Sequence, residues 1–309
     1  MIFWILFSIL LLLLLACTAI AWILYSAMMI RKDTLHYPAS ADPYAKGRLE
    51  VQRWNADHLS GCLRIPLRGD SVTLIGYYYP LCPNSKKAVL CVHGYTSEHT
   101  ERLALAELYR SLGYNILAPD CRAHGESSGI HRTMGYYDQE DVILWVHYLT
   151  DVLGMEEIIL DGVSMGAATV LAASGHPDLP SSVTAVVADC GYTSTHDIYV
   201  YQLKHTYHLP VFPILNIAEW FCRHCGHFSS TENAPIDRVR ASHTPTLILH
   251  GAEDDFVPYF MAGQLYNACA APKKMVTIPD AQHANSHFAH PELYQQAIRD
   301  FLTDLPHHA

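Results

Sequence analysis

The residues with the clearest capacity for chemistry are a serine and the two glycines that flank it. Residues 162–166 read Gly-Val-Ser-Met-Gly, between a β-rich run at 158–160 and a helix-forming run at 167–172. A sharp strand-to-helix turn of this kind exposes a serine hydroxyl, and the helix start stabilises an anion beside it. A serine also needs a base, and that base needs an orienting acid. Ser164 is therefore predicted to be a nucleophile.

Candidate acids and bases follow two later strands. The run 246–250 predicts a strand, and the acidic turn after it contains Asp254 beside Glu253 and Asp255. A last strand at 274–278 is followed by His283, with His287 and His290 further on. Each set lies just past the carboxyl end of a strand, where the side chains of a parallel sheet can meet.

Two backbone amides are predicted to stabilise the negative charge that develops during acyl transfer. One is the N–H of Met165, directly after the nucleophile. The other is the N–H of Tyr95, which follows a strand and the pair His93-Gly94. Donors of this kind form an oxyanion hole.

The elements that must position these groups alternate along the chain. Helical patterns separate most of the short apolar runs, and Arg68-Gly69-Asp70 predicts a hairpin between the first two strands. This alternation predicts a mostly parallel sheet flanked by helices. The predicted strands are 62–67, 72–79, 88–92, 115–118, 157–160, 185–189, 246–250 and 274–278, and the predicted helices are 101–112, 137–153, 165–173, 261–269 and 291–302.

One interval departs from this alternation. More than fifty residues separate the strand ending at Asp189 from the next one, and a structureless loop of that length is uncommon in a compact domain. Residues of about 195–230 are therefore predicted to form a helical cap over the carboxyl edge of the sheet. Its apolar run 209–221 either packs on the core or lines an acyl pocket and touches a bilayer.

The motifs together resemble the α/β-hydrolase superfamily. They are residues 93–95, 120–129, 162–166, the His-Gly-x-x-Asp-x-x-Val-Pro run at 250–258, and His283. The resemblance covers roughly residues 60–305. Within the superfamily, the motifs are similar to those of bacterial membrane-anchored hydrolases of the serine-aminopeptidase-like and BEM46-like groups.

The resemblance implies an eight-stranded α/β-hydrolase fold and assigns Asp254 and His283 as acid and base. It implies hydrolysis of a small-molecule ester or acyl substrate. A peptidase or amidase, or a non-catalytic membrane binding protein, are the alternatives. Arg122, His124, Ser127 and Asp189 are expected to be structural, and no cofactor or metal is expected.

The first thirty residues contain no Asp, Glu, Lys or Arg. They are long enough to span a bilayer, so residues 1–30 are predicted to be a transmembrane anchor. A cleaved signal peptide and a lipid-modified Cys17 are the alternatives. Basic residues, beginning with Arg31, follow the segment, and the positive-inside tendency places the remaining chain in the cytoplasm. Residues 31–56 are predicted to be a linker and 57–309 the α/β-hydrolase domain.

Charge and cysteine content bear on the possible partners, the compartment and a possible metal site. The formal net charge is −10, and the chain lacks a basic run, so a nucleic-acid partner is not expected. Nine cysteines without a disulfide-framework spacing favour a reducing compartment. Cys222 and Cys225 with nearby histidines could supply half of a zinc site, but the sequence has no second such group, so packing is the favoured role. Oligomeric state is not predicted.

Overall fold

The computed structural model describes residues 1–31 and 43–305. Eight strands form one sheet in the order β1-β2-β4-β3-β5-β6-β7-β8. β2 runs antiparallel to both of its neighbours, and all other adjacent pairs are parallel. The strands are β1 (Leu63–Arg68), β2 (Thr73–Tyr79), β3 (Lys87–Val92), β4 (Asn115–Asp120), β5 (Glu157–Val163), β6 (Val183–Asp189), β7 (Thr246–Gly251) and β8 (Lys273–Ile278).

Each of the eight predicted strands is present, and most are one to three residues longer than predicted. The central strands β3 to β7 are buried on both faces, which explains why they read as continuous apolar runs rather than alternating ones. Two apolar layers, one on each face, enclose the sheet.

The helices cover both faces and the carboxyl edge of the sheet. The predicted helix 101–112 begins as a 3₁₀ helix, His99–Leu105, and the predicted helix 137–153 ends in a π-helical turn, Tyr148–Val152. The α-helices are α1 (Ile2–Met28), α2 (Ala45–His58), α3 (Ala106–Ser111), α4 (Asp138–His147), α5 (Met165–Ser174), α6 (Thr195–His205), α7 (Ile214–Cys225), α8 (Pro235–Arg238), α9 (Phe260–Ala268), α10 (Ser286–Ala289) and α11 (Pro291–Thr303).

The long interval between β6 and β7 is helical where the cap is predicted. α6 begins at the N-cap Ser194, whose hydroxyl oxygen accepts a hydrogen bond from the Asp197 N–H at 2.9 Å. α7 follows and is amphipathic, with Ile214, Leu215 and Cys222 buried. We refer to α6 and α7 together as the cap.

The N-terminal helix α1 is 27 residues long and apolar enough to cross a membrane, a test that an N-terminal signal sequence also passes. Its first two thirds project away from the domain, with large apolar side chains exposed. Its last third packs against α7, where Trp22 and Tyr25 both contact the Phe221 ring. The predicted anchor is therefore in direct contact with the predicted cap.

The segment 31–56 differs from the predicted linker. Residues 32–42 lie outside the described residues, but α2 begins at Ala45 and packs against the 3₁₀ helix that follows β3. Trp54 Nε1 donates a hydrogen bond to Glu107 at 2.9 Å, and Tyr79 donates one to Asn55 at 2.6 Å. None of the residues of α2 is buried. Val51 and Trp54 of this surface helix also pack, half-buried, against the apolar layer on one face of the sheet. With so few apolar contacts the helix has little apolar periodicity, so the sequence pattern did not indicate it.

Candidate active site

Ser164 lies in the turn between β5 and α5. Its backbone is in the strained left-handed region, with φ of 53°. A Cβ on Gly162 would lie 2.3 Å from the Gly166 carbonyl oxygen, and one on Gly166 would lie 2.1 Å from the Val92 carbonyl oxygen. The two flanking glycines are therefore required by the close approach of backbone on both sides of the serine.

The structure brings Ser164, His283 and Asp254 together in one hydrogen-bonded chain. Ser164 Oγ lies 2.8 Å from His283 Nε2, and His283 Nδ1 lies 2.7 Å from Asp254 Oδ2. Asp254 is buried, whereas the His283 side chain is 20% exposed and the Phe256 ring packs against it. A nucleophile, a base and an orienting acid are thus within hydrogen-bond reach of one another.

Asp254 is held as an anion by several donors. Its Oδ1 accepts hydrogen bonds from the N–H groups of Phe256 and Val257 at 3.0 and 2.9 Å. His250 Nε2 lies 3.4 Å from Oδ2. Burial acts to raise the pKa of the Asp254 carboxyl group, but His250 and His283 outweigh it and lower the pKa to about 2. In the sequence, His250 is the end of a predicted strand and the first residue of the 250–258 motif. Its contact with Asp254 was not predicted, because that contact depends on the geometry of the turn.

The alternative acids and bases have other environments. Glu253 and Asp255 are exposed, and within the described residues neither has a hydrogen bond to a histidine. His287 is buried, and both of its ring nitrogens lack a hydrogen-bond partner. These placements agree with the choice of Asp254 and His283.

The loop with Tyr95 runs directly beside the serine. A Cβ on Gly94 would lie 3.5 Å from Ser164 Cβ. His93 fixes this loop, since its Nδ1 donates to the Gly94 carbonyl at 2.7 Å and its Nε2 accepts from the Cys121 N–H at 2.9 Å. The Gly94 N–H donates to Glu101 at 2.6 Å, a carboxylate that sequence reasoning did not identify.

The second predicted oxyanion donor, Met165, begins α5, where the first N–H groups of a helix have no partner within the helix. The N–H of Ser164 itself is occupied, because it donates to the Asp189 carbonyl oxygen at 2.8 Å.

A buried charged network lies beneath these residues. Arg102 pairs with Asp161, whose other oxygen accepts from the Tyr109 hydroxyl at 2.6 Å. Tyr294 accepts from Arg102 at 3.3 Å and donates to Asp189 at 2.9 Å. Burial raises the pKa of the Asp189 carboxyl group, against the lowering effects of Arg102 and Tyr294. The network supports the ends of β5 and β6, consistent with the structural role expected for Asp189.

The loop after β4 is organised mainly by its own polar groups. Arg122 forms a two-pronged ion pair with Asp141, at 2.6 and 2.7 Å. His124 Nδ1 donates to the Arg122 carbonyl, and the Ser127 hydroxyl donates to the Asp120 carbonyl. Burial lowers the pKa of His124 well below its usual range. These contacts agree with the structural roles expected for Arg122, His124 and Ser127.

The cysteines near the cap do not assemble into a ligand cluster. Among the residues that the structure describes, the only His/Cys/Asp/Glu group with three ligand atoms close together is Cys190, Asp254 and His283. That group contains the acid and base already described. Cys222 is buried and Cys225 is exposed, on α7.

Comparisons with known proteins agree with this architecture. The sequence profile of a family described as alpha/beta hydrolase fold matches residues 87–208. The uncharacterized protein YqkD of Bacillus subtilis is 28% identical over 231 residues, covering 74% of this chain and 75% of that protein. A similar protein is the Xenopus tropicalis lysophosphatidylserine lipase ABHD12, 24% identical over 73% of this chain and 60% of that protein.

Among solved structures, the Pyrococcus furiosus esterase Pf2001 is similar with a TM-score of 0.65 and 23% identity. The match covers 81% of this chain and 95% of that chain. The chain has the α/β-hydrolase fold, as its sequence motifs predict.

Proposed function

We propose that this protein is a serine hydrolase that cleaves carboxylic esters and is attached to a membrane by α1. The observation that carries the proposal is the hydrogen-bonded chain from Ser164 Oγ through His283 to Asp254, at 2.8 and 2.7 Å. The strained backbone of Ser164 and the adjacent start of α5 support the same role.

The proposed reaction has two halves. Ser164 Oγ attacks the carbonyl carbon of the ester while His283 Nε2 takes the hydroxyl proton, and Asp254 stabilises the imidazolium through Nδ1–H. The N–H groups of Tyr95 and Met165 donate to the oxyanion. The tetrahedral intermediate then expels the alcohol, which receives the proton from His283, and leaves an acyl-serine. Water attacks this ester with His283 as base, which releases the carboxylic acid and restores Ser164.

The ester class is supported by relatives and by the cap. Pf2001 is an esterase, and the relative ABHD12 is by its name a lipase that acts on lysophosphatidylserine. The cap is rich in apolar and aromatic side chains and packs against α1. These features favour lipid-like esters with a hydrocarbon acyl chain.

The membrane attachment rests on α1 and the charges after it. The apolar window of α1 with no buried residue is 18 residues and therefore about 27 Å long, close to a hydrocarbon core of about 30 Å. Arg31 and further basic residues follow it, so we place the catalytic domain in the cytoplasm. A membrane-impermeant maleimide tests the orientation, because Cys225 is exposed. Labelling that requires opened cells supports it, and labelling of intact cells that disappears in Cys225→Ser contradicts it.

The catalytic proposal is tested by fluorophosphonate labelling of the solubilised protein, wild type against Ser164→Ala. We expect labelling of the wild type only, and a fall in ester turnover on the order of 10⁴-fold or more in the variant. Aminoacyl amides assayed in parallel with p-nitrophenyl esters separate esterase from peptidase. Folded wild type that takes no label, or a folded Ser164→Ala that keeps full activity, would contradict the proposal.

A further inference from the structure

A wide polar cavity lies between the end of α1, the helix α2 and the loop that follows Tyr95. Its volume is about 660 Å³, within the range of roughly 300–1,000 Å³ that is typical of small-molecule sites. Within the part of the chain that the structure describes, no residue of the candidate triad lines it, so the cavity is separate from the reacting atoms. Charged and hydroxyl side chains dominate the lining, which includes Arg31, Arg48, Arg132, Ser97, Glu98 and Glu101.

A short antiparallel pairing brings two of the arginines to this cavity. The Arg31 N–H donates a hydrogen bond of 2.8 Å to the Ile130 carbonyl, and the Arg132 N–H donates one of 2.8 Å to the Met29 carbonyl. The chain that leaves α1 is thus fixed against the segment 130–132. Arg31 and Arg132, far apart in sequence, therefore line the same cavity.

Arg132 is a nearly buried cation without an anionic partner among the described residues. The residue is 5% exposed. Its guanidinium lies 5.1 Å from the centre of the Tyr95 ring, and its Nη1 lies 3.4 Å from the Tyr95 hydroxyl oxygen. Its Nε has no hydrogen-bond partner, and no described carboxylate forms an ion pair with it. Because a buried cation is costly unless an anion compensates it, Arg132 favours an anion bound in the cavity that it lines.

The two carboxylates of the lining are engaged by other groups. Glu101 accepts a hydrogen bond of 2.6 Å from the Gly94 N–H, and Glu98 accepts one of 3.1 Å from the Thr100 hydroxyl. These bonds hold the loop that follows Tyr95. Neither carboxylate pairs with Arg132, so they do not neutralise its charge.

We propose that this cavity binds a phosphate group, with Arg132 as its principal ligand. A guanidinium matches phosphate oxygens with two parallel hydrogen bonds. Arg31, Arg48 and Arg132 come from three separate segments, and a phosphate has enough oxygens to accept from several directions, whereas a carboxylate has two. The hydroxyls of Thr96 and Ser97 are further donors in the lining.

The phosphate can belong to a soluble molecule or to a lipid headgroup. Arg31 follows the apolar helix α1 directly, which suits a headgroup at a membrane surface. The cavity is also open to solvent-borne phosphate of the same chemistry. The proposal does not depend on the ester hydrolysis proposed above, because binding requires neither Ser164 nor His283.

The test is isothermal titration calorimetry on the full-length, detergent-solubilised protein. Ser164→Ala serves as the parent, so that ester turnover contributes no heat. The probes are inorganic phosphate and dihexanoyl phosphatidic acid. Arg132→Met in this parent should weaken the binding of both probes roughly tenfold or more, since a charge-assisted pair is lost. Arg240→Met is the matched control, because it removes an exposed arginine that pairs with Asp237, and it should leave Kd unchanged.

A second variant keeps the test decisive if Arg132→Met does not fold. Gln52 is exposed on α2 and lines the cavity, so Gln52→Glu adds a negative charge there without disturbing the buried arginine. Repulsion should weaken phosphate binding roughly threefold or more.

The relative affinity of the two probes identifies the source of the phosphate. Phosphatidic acid that binds more tightly than inorganic phosphate, with both sensitive to Arg132→Met or Gln52→Glu, indicates a lipid headgroup, and equal affinities indicate a soluble phosphate. Either result supports the site. No heat of binding from either probe up to about 10 mM, or a Kd that both variants leave unchanged, would overturn it and would leave the proposed ester hydrolysis standing.

Discussion

The Tyr95 hydroxyl donates a hydrogen bond of 2.8 Å to the carbonyl oxygen of Met28. This bond joins the loop beside Ser164 to the last turn of the N-terminal helix, across 67 residues of sequence. Arg132 reinforces the junction, because its guanidinium lies 5.1 Å from the centre of the Tyr95 ring. The end of α1 and the candidate oxyanion loop are therefore one packed unit, so a change at the helix can reach the site.

Tyr95→Phe tests this coupling. The substitution keeps the backbone N–H and the ring but removes the donor to Met28, at a cost of about 1–2 kcal/mol. If the bond holds the loop in its active position, kcat/KM for a short ester should fall roughly 3- to 30-fold. Tyr136→Phe is the control, because its hydroxyl contacts Glu232 outside the candidate site. A Tyr95→Phe protein as active as wild type would show that the loop holds its position without α1.

The sequence predicted the strands and the triad candidates because those signals are local. Each strand is a short apolar run, and the turns with Ser164, Asp254 and His283 follow such runs directly. The contacts that sequence reasoning missed join distant segments. Arg102 meets Tyr294 across 192 residues, and no local pattern records such a pairing. The packing of α1 on the cap was also not predicted. The sequence pattern of an apolar helix is the same whether the helix faces lipid or protein.

Asp254→Asn tests the assignment of the acid. In the folded variant, the side-chain oxygen of the asparagine can accept the two backbone hydrogen bonds that Asp254 Oδ1 accepts in the wild type. The side-chain NH₂ group of the asparagine then faces His283 Nδ1 as a donor. That donor forces the imidazole proton onto Nε2, where it faces Ser164 and prevents His283 from acting as base. We expect ester turnover to fall on the order of 10³- to 10⁴-fold with little loss of fold.

Asp255→Asn is the matched control for this change. Its side chain is exposed, so turnover should remain near that of wild type. The reverse result, a large loss with Asp255→Asn and a small one with Asp254→Asn, would reassign the acid.

Arg102→Met tests the buried network beneath the site. Arg102 is 1% exposed and neutralises the fully buried carboxylate of Asp161. Removal of the cation leaves an uncompensated charge in the core, so the free energy of unfolding should fall by about 3–5 kcal/mol. Urea denaturation of the solubilised protein measures the loss. The double variant Arg102→Met/Asp161→Asn should recover part of it, and a double variant no more stable than the single one would argue against charge burial as the cause.

His287→Leu tests a source of acid sensitivity. Burial, with smaller contributions from Arg102 and Arg48, lowers the pKa of His287 to about 3, and neither ring nitrogen has a hydrogen-bond partner. Above pH 6.5 this imidazole is neutral in the folded and unfolded chains alike. As the pH falls from 6.5 toward 3, only the unfolded chain takes up the proton, so His287 progressively destabilises the fold. The leucine variant lacks this penalty, and its advantage over wild type should grow to about 1–3 kcal/mol at pH 4.5. Urea unfolding at pH 8 and pH 4.5 measures the difference, and an identical pH dependence in both proteins would show that His287 is protonated in the folded state.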